Sequence, residues 1–245
     1  MLKEFRCDLH IHTCLSPCAD LDLYPSALVG KALKTDLDVI AVCDHNSSEN
    51  VPYVLRCAAG TSVVVLPGME VTSREEVHVL ALFDTLDPLA RFQVDVYAHL
   101  SGSNREEVFG CQAIVNDVDE VEGFNDRLLI GATDIPLDGL ISLIHHHGGL
   151  AVASHIDREA FGVLGQLGFI DSSLAFDALE VTFRLGIREA RRRYPEFGAY
   201  AFVTSSDAHF LQDVGQGMTR IRMAAPTLAE LKLAFQRRDG REILE

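Results

Sequence analysis

CDLHIHTCLSPCAD, residues 7–20, places Asp8, His10 and His12 at every second position. An extended strand turns alternate side chains to one face, so the two imidazoles stand together, close enough to share a single ion. Other short apolar runs end in the same residue types. LDVIAVCDH (37–45) closes on Asp44 and His45, and TSVVVLPGMEV (61–71) carries Glu70 near its end. EEVHVLALF (75–83) contains His78, GLAVASH (149–155) ends in His155, and YAFVTSSDAH (200–209) ends in Asp207 and His209. Helix-like stretches such as YPSALVGKALKT, SSENVPYVLRCAA, LDGLISLIHHHGG, GIREARRRYP and APTLAELKLAFQRR separate these runs. This alternation predicts parallel βα units, and about seven of them suit a closed barrel better than an open sheet. In such a barrel the active site lies at the carboxyl ends of the strands, so histidines far apart in sequence meet at one mouth.

The chain has 245 residues, 48% of them hydrophobic, which is enough for a sizeable core. The expectation is one α/β barrel domain over 1–245. Residues of about 84–133 interrupt the βα pattern and read as an insertion on it, because neither end carries a strong linker. MLKEFRCDLH has no basic region followed by an apolar core, and runs such as SVVVLPG fall far short of the roughly 20 residues a membrane helix needs. A cytoplasmic protein without a membrane partner is therefore expected. Six scattered cysteines without a secretory signal read as reduced thiols. A formal net charge of −15 argues against tracking long nucleic acid on a basic surface, and leaves a small anionic substrate met locally by ions or a few arginines. Nothing in the sequence speaks to oligomeric state.

Taken together, DLHIHT, CDHN, GME with the following HVL, SHID and SSDAH resemble the motifs of the PHP (polymerase and histidinol phosphatase) superfamily, in its stand-alone phosphoesterase branch. The match covers most of the chain outside about 84–133, and its motifs are specific as a set. The resemblance implies a distorted (βα)7 barrel with three divalent metal ions, Mn, Fe or Zn, at the strand ends. Residue by residue it implies a first ion held by His10, His12, Glu70 and Asp207, and a second by Glu70, His78 and His155. A third would be held by Asp20, His45 and His209. Family members commonly have a shorter turn after the first motif than SPCADLDLYP, and here Asp22 competes with Asp20 for the carboxylate position.

The implied activity is metal-dependent hydrolysis of a small phosphate monoester by hydroxide generated at the ions, with Asp207, His209 and Arg158 in the catalytic machinery. The expected substrate is a nucleotide such as AMP or a nucleoside 3′,5′-bisphosphate, with no long nucleic acid. Histidinol phosphate and a short-oligonucleotide exonuclease are alternatives, and a non-catalytic accessory or sensing module is the alternative of another class. Arg158 and, past DALEVTF, Arg184 are candidate phosphate-binding residues, since a guanidinium matches two phosphate oxygens. Other features read as structural. HHHGG (145–149) suits a helix C-terminus, His99 lies in a helix-like stretch, and Cys14 and Cys18 read as core or loop thiols near the first motif.

Overall fold

The computed structural model describes residues 1–244. Among these, β1 (Lys3–Ile11), α1 (Pro25–Lys34), β2 (Val39–Val42), α2 (Val51–Ala58), β3 (Val64–Thr72) and β4 (His78–Leu82) come first. The central stretch holds α3 (Leu86–Ala98), α4 (Glu106–Phe109), β5 (Ala113–Val115), β6 (Val121–Phe124) and α5 (Leu137–His146). Then follow β7 (Leu150–Ala153), α6 (Val163–Leu167), β8 (Ala178–Thr182), α7 (Ile187–Arg193), β9 (Ala201–Ser205), β10 (Thr219–Met223), α8 (Leu228–Phe235) and β11 (Glu242–Leu244).

The main sheet runs in the order β11-β10-β1-β2-β3-β4-β7-β8-β9. It curls until its last strand meets β1: Ile11 and Ala208 form a parallel bridge, and the His12 N–H donates to the Ala208 carbonyl at 3.1 Å. The result is a nearly closed, distorted barrel, with β10 and β11 paired antiparallel along the outside of the β1 seam. The strands are short, β-branched and apolar because both faces are covered; every residue of β2, VIAV, is buried. Phe202, Leu9 and Ile11 lie inside with Phe83 and Phe92, each fully buried side chain contributing ~1.5–3 kcal/mol of apolar transfer.

One strand departs from the expected parallel order. β4 pairs antiparallel with both β3 and β7. Only residues 73–77 separate β3 from β4, which is room for a hairpin and not for the crossover of a dozen or more residues that a parallel pair needs. The turn closes with Ser73 N–H donating to the Val77 carbonyl and Glu76 at φ +60. In consequence the first residue of β4, His78, stands at the same end of the barrel as the last residues of its neighbours.

The central interruption divides in two. α3 buries Leu89, Phe92 and Val96 in the main core and so belongs to the barrel's helical layer. Beyond it, the β5–β6 hairpin lies over the loops that follow β1 and β2. Asn50 ties it down, donating to the Ala113 carbonyl and accepting from the Val115 N–H, while Asn46 donates to the carbonyls of Leu129 and Gly131. The interrupted segment therefore roofs the mouth of the barrel.

Candidate metal centre

Strand alternation puts Asp8, His10 and His12 on the inner face of β1, all without solvent contact. They do different work. Asp8 accepts the N–H groups of Ser206 and Gly215 and stitches β1 to the loops beyond β9. Burial raises its carboxyl to about 7 in spite of those bonds. His10 and His12 face the mouth with their Nε2 atoms 3.1 Å apart.

Glu70 is the centre of the site, 1% exposed. Its Oε1 lies 3.3 Å from His10 Nε2, 3.0 Å from His78 Nδ1 and 3.4 Å from His155 Nε2. Its Oε2 lies 3.1 Å from His45 Nδ1 and 3.6 Å from His12 Nε2. Asp207 Oδ1 approaches His10 and His12 at 3.3 and 3.2 Å, and His209 at 3.6 Å. Burial alone would raise the Glu70 carboxyl, but the charges of His78 and His10 hold it well below the usual carboxylate range. Burial likewise pushes the His78 imidazolium down to about 4.

The donor set fits divalent cations. Both oxygens of Glu70, Nδ1 of His45 and Nδ1 of His78 are buried and form no hydrogen bond. Polar atoms so buried are rarely left unmatched unless something else is meant to occupy the space between them. Three overlapping groups present nitrogen and oxygen atoms at a spacing suited to an ion: His10, His12 and Glu70; His45, Glu70 and His78; and His12, His45 and His209.

The backbone is bent to serve this arrangement. Asn46, His155 and Asp207, which follow β2, β7 and β9, have φ of 47°, 28° and 48°. Left-handed backbone at a residue other than glycine costs on the order of 1–2 kcal/mol and persists only where surrounding bonds enforce it. Asn46 is enforced on three sides: its N–H donates to the Glu70 carbonyl, its Oδ1 accepts from Thr72, and its amide holds the roof.

Several residues missed at the sequence level support the cluster. Glu180 Oε2 sits 3.0 Å from His10 Nδ1 and accepts the His155 N–H, so one buried carboxylate aims two of the imidazole-bearing segments. A charged residue inside the apolar strand DALEVTF was the available signal. Ser16 lies 3.0 Å from His12 Nδ1 and donates to Asp44, which also accepts from the N–H and hydroxyl of Thr13. Asp44 thereby shapes the first loop and does not face the cluster.

Asp20 does not join the cluster. Its N–H donates to the His209 carbonyl at 2.8 Å, while its carboxylate turns outward and accepts from the Asp22 N–H. Asp20 and Asp22 line a separate surface cleft with Lys31 and Phe210. Cys18 takes the nearer place, within hydrogen-bonding reach of His45 and His209. Burial would push its thiol up, but hydrogen bonds from His209 and His45 bring it down to about 6; Cys18 and Glu70 in turn lift His45 to about 10 against its own burial.

Arg158 reaches the site by pairing its guanidinium with Asp207 Oδ2 at 2.6 Å, and its side chain stays 46% exposed. Asp157 is occupied elsewhere, accepting from the N–H and hydroxyl of Thr182. Arg158, Phe183 and Arg184 line a cavity of about 440 Å³ that opens beside His155, Glu180 and Asp207. The remaining histidines lie apart. His145 and His147, at the end of α5, pair with Asp177 and Asp95, and exposed His99 pairs with Asp134. All six cysteines are free thiols, and no helix among the described residues is long and apolar enough to cross a membrane.

The model of the PHP-associated family matches residues 188–239, from α7 to just past α8. No curated protein matches the sequence. Among solved structures, the lesion-specific endonuclease Q from Pyrococcus furiosus superposes with a TM-score of 0.72 at 15% identity, over 98% of this chain and 58% of its own. A complex of endonuclease Q with a 27-mer duplex carrying an abasic lesion at the active site superposes at 0.68, also at 15% identity and over 98% and 58% of the two chains. A protein described as a candidate metal-dependent phosphoesterase, from Bifidobacterium adolescentis, superposes at 0.57 with 18% identity, over 83% of this chain and 87% of its own. The chain thus spans 58% of the length of the endonuclease Q chains it matches. The barrel expected from the sequence is the fold that these likenesses share with it.

The exclusion of long nucleic acid does not stand. A fold of this kind, over 98% of this chain's length, is found in an enzyme holding duplex DNA at its active site. The net charge of −15 is a sum over the whole chain, buried acids included. A phosphate backbone is met locally, and here exposed Arg158 and Arg184 line the cavity beside the cluster, among the acids Asp157, Glu180, Asp207 and Asp213.

Proposed function

We propose that this chain, a member of the PHP superfamily by its fold and its PHP-associated segment, is a metal-dependent phosphoesterase. The observation that carries the proposal is Glu70: a fully buried carboxylate whose oxygens form no hydrogen bond and meet only imidazole nitrogens, those of His10, His12, His45, His78 and His155. A purely structural site closes its coordination sphere, whereas this one opens toward a cavity lined by arginine.

In the proposed assignment His10, His12, Glu70 and Asp207 hold one ion, Glu70, His78 and His155 a second, and His45 and His209 contribute to a third. Ions held there would lower the pKa of water and neutralise charge on phosphoryl oxygens, and imidazole with carboxylate suits Mn, Fe or Zn. The chain's own residues do the rest. Glu180 fixes the Nδ1 side of His10 and so presents Nε2 to the cluster. Arg158, braced by Asp207 and half exposed, offers its remaining N–H donors to a phosphate, with Arg184 on the same cavity wall. The roof over the mouth limits the entry of bulk water.

A phosphate ester of a nucleotide is the substrate class we favour. The likeness to endonuclease Q over 98% of this chain supports a phosphodiester within nucleic acid, and the cavity beside Asp207, with Phe183 and two arginines, supports a free nucleotide. The test is a panel incubated with Mn²⁺: duplex DNA with an abasic site, short RNA, AMP, a nucleoside 3′,5′-bisphosphate and histidinol phosphate, with Asp207→Ala as control. Strand cleavage or phosphate release that is abolished in the control supports the phosphoesterase, and the preferred member identifies its class. Silence across the panel with ions confirmed bound would overturn the enzyme in favour of an accessory or sensing module.

A further inference from the structure

The third group of the cluster lacks the carboxylate that the sequence motif led us to expect, and another side chain stands in its position. The turn that follows β1 is pinned at two points: Ala19 N–H donates to the Ser16 carbonyl, and Asp20 N–H donates to the His209 carbonyl. The second bond fastens the turn to the loop that carries His209. It leaves the Asp20 carboxylate outside, while Cys18 shares with His45 and His209 the wall of the cavity that contains Glu70, His78 and Asp207. Cys14, four residues earlier, goes elsewhere; its sulfur is buried and points to the Ala113 carbonyl.

An independent observation marks this corner as a ligand site. His45 is 5% exposed, and its Nδ1, 3.1 Å from Glu70 Oε2, forms no hydrogen bond. His12, His45 and His209 present ring nitrogens at a spacing suited to one ion. We propose that Cys18 supplies a thiolate ligand to the third ion, together with His45 and His209, in the place the motif assigns to Asp20. The inference rests on the metal-centre reading above and refines it.

It changes the chemistry of that ion. A site of two imidazoles and a thiolate is softer than one of two imidazoles and a carboxylate, and it favours Zn²⁺ or Fe²⁺ over Mn²⁺ or Mg²⁺. The other two positions, rich in carboxylate and imidazole, do not share this bias. The chain is therefore expected to carry a mixed set of ions, with the thiolate-bound one the most selective.

The experiment strips the full-length protein with chelator and refills it with Co²⁺. Two quantities are read: the near-ultraviolet thiolate-to-cobalt charge-transfer band and the cobalt content per chain. Wild type is expected to show the band. Cys18→Ser should lose the band and about one ion per chain, Cys18→Asp should recover the ion without the band, and Asp20→Asn should keep both, because metal sites of this kind depend on each deprotonated ligand. A wild type filled with cobalt but without the band, or a Cys18→Ser protein that keeps band and full content, would overturn the assignment. A wild type that takes up no cobalt overturns it and the proposed function together, whereas band and ions without turnover on any substrate overturn the function alone.

Discussion

Glu180 is not among the ligands assigned to the ions, yet it holds both His10 Nδ1 and the His155 N–H. Partners that orient a ligating imidazole typically govern metal affinity or activity by 10–100-fold. Glu180→Ala is therefore expected to cost about that factor in cobalt or manganese affinity, measured by titration, with Glu180→Gln recovering part of it. Cysteine reactivity separates two thiols that sequence alone treats alike. Burial and the Asp44 charge push the Cys14 thiol up to about 12, whereas the bonds to His209 and His45 overcome burial and bring Cys18 down to about 6. The thiolate is the nucleophile, so reactivity rises as pH climbs through the pKa. In chelator-treated protein, iodoacetamide should modify Cys18 with a rate that is low at pH 5 and levels off above about 7, while Cys14 stays unmodified. Peptide mapping across pH checks this, and added metal should protect Cys18.

At the scale of elements, the hairpin of β3 and β4 decides the site. β3 delivers Glu70 near its carboxyl end, and reversal of β4 delivers His78 from its amino end to the same place. Gly68, two residues before Glu70, lets β3 lie close against the strand beside it: a Cβ there would sit 2.8 Å from Cys43 Sγ and 2.9 Å from the Val42 carbonyl oxygen. Gly68→Ala must push the strands apart. Overpacking of this kind costs typically ~1–3 kcal/mol, and the displacement would reach Glu70. A lowered urea midpoint together with reduced metal content is the expected outcome, and an unchanged metal content would dissociate the strand spacing from the site.

For the molecule as a whole, the cluster concentrates buried carboxylates and imidazoles that no hydrogen bond fully satisfies. Ions that bind the folded chain and not the unfolded one stabilise it by mass action, ~2.7 kcal/mol at a free concentration one hundred times the dissociation constant. For a chain of this size that corresponds to a rise of roughly 5–10 °C in Tm. Calorimetry with and without EDTA is expected to show that shift in wild type and a smaller one in Asp207→Ala. The same scale explains why the overall charge misled. The total of −15 counts buried acids such as Asp8, Asp44, Glu70 and Glu180 together with exposed ones, whereas Arg158 and Arg184 stand on the wall of the cavity beside the cluster.

The sequence by itself determined the barrel, because apolar runs of strand length alternating with amphipathic stretches leave few ways to bury both faces of a sheet. Strand periodicity and strand ends, which are local properties, also pointed to residues that meet at the mouth: His10 and His12 at the end of β1, Glu70 on β3, Asp207 and His209 past β9. What only the tertiary structure decided depends on contacts between segments distant in sequence. The direction of β4 is set by its pairing partners, the place of Glu180 by the approach of β8 to β1, and the roles of Cys18 and Asp20 by one backbone bond to His209. A turn's rotation cannot be read from its composition when the bond that fixes it comes from the far end of the chain.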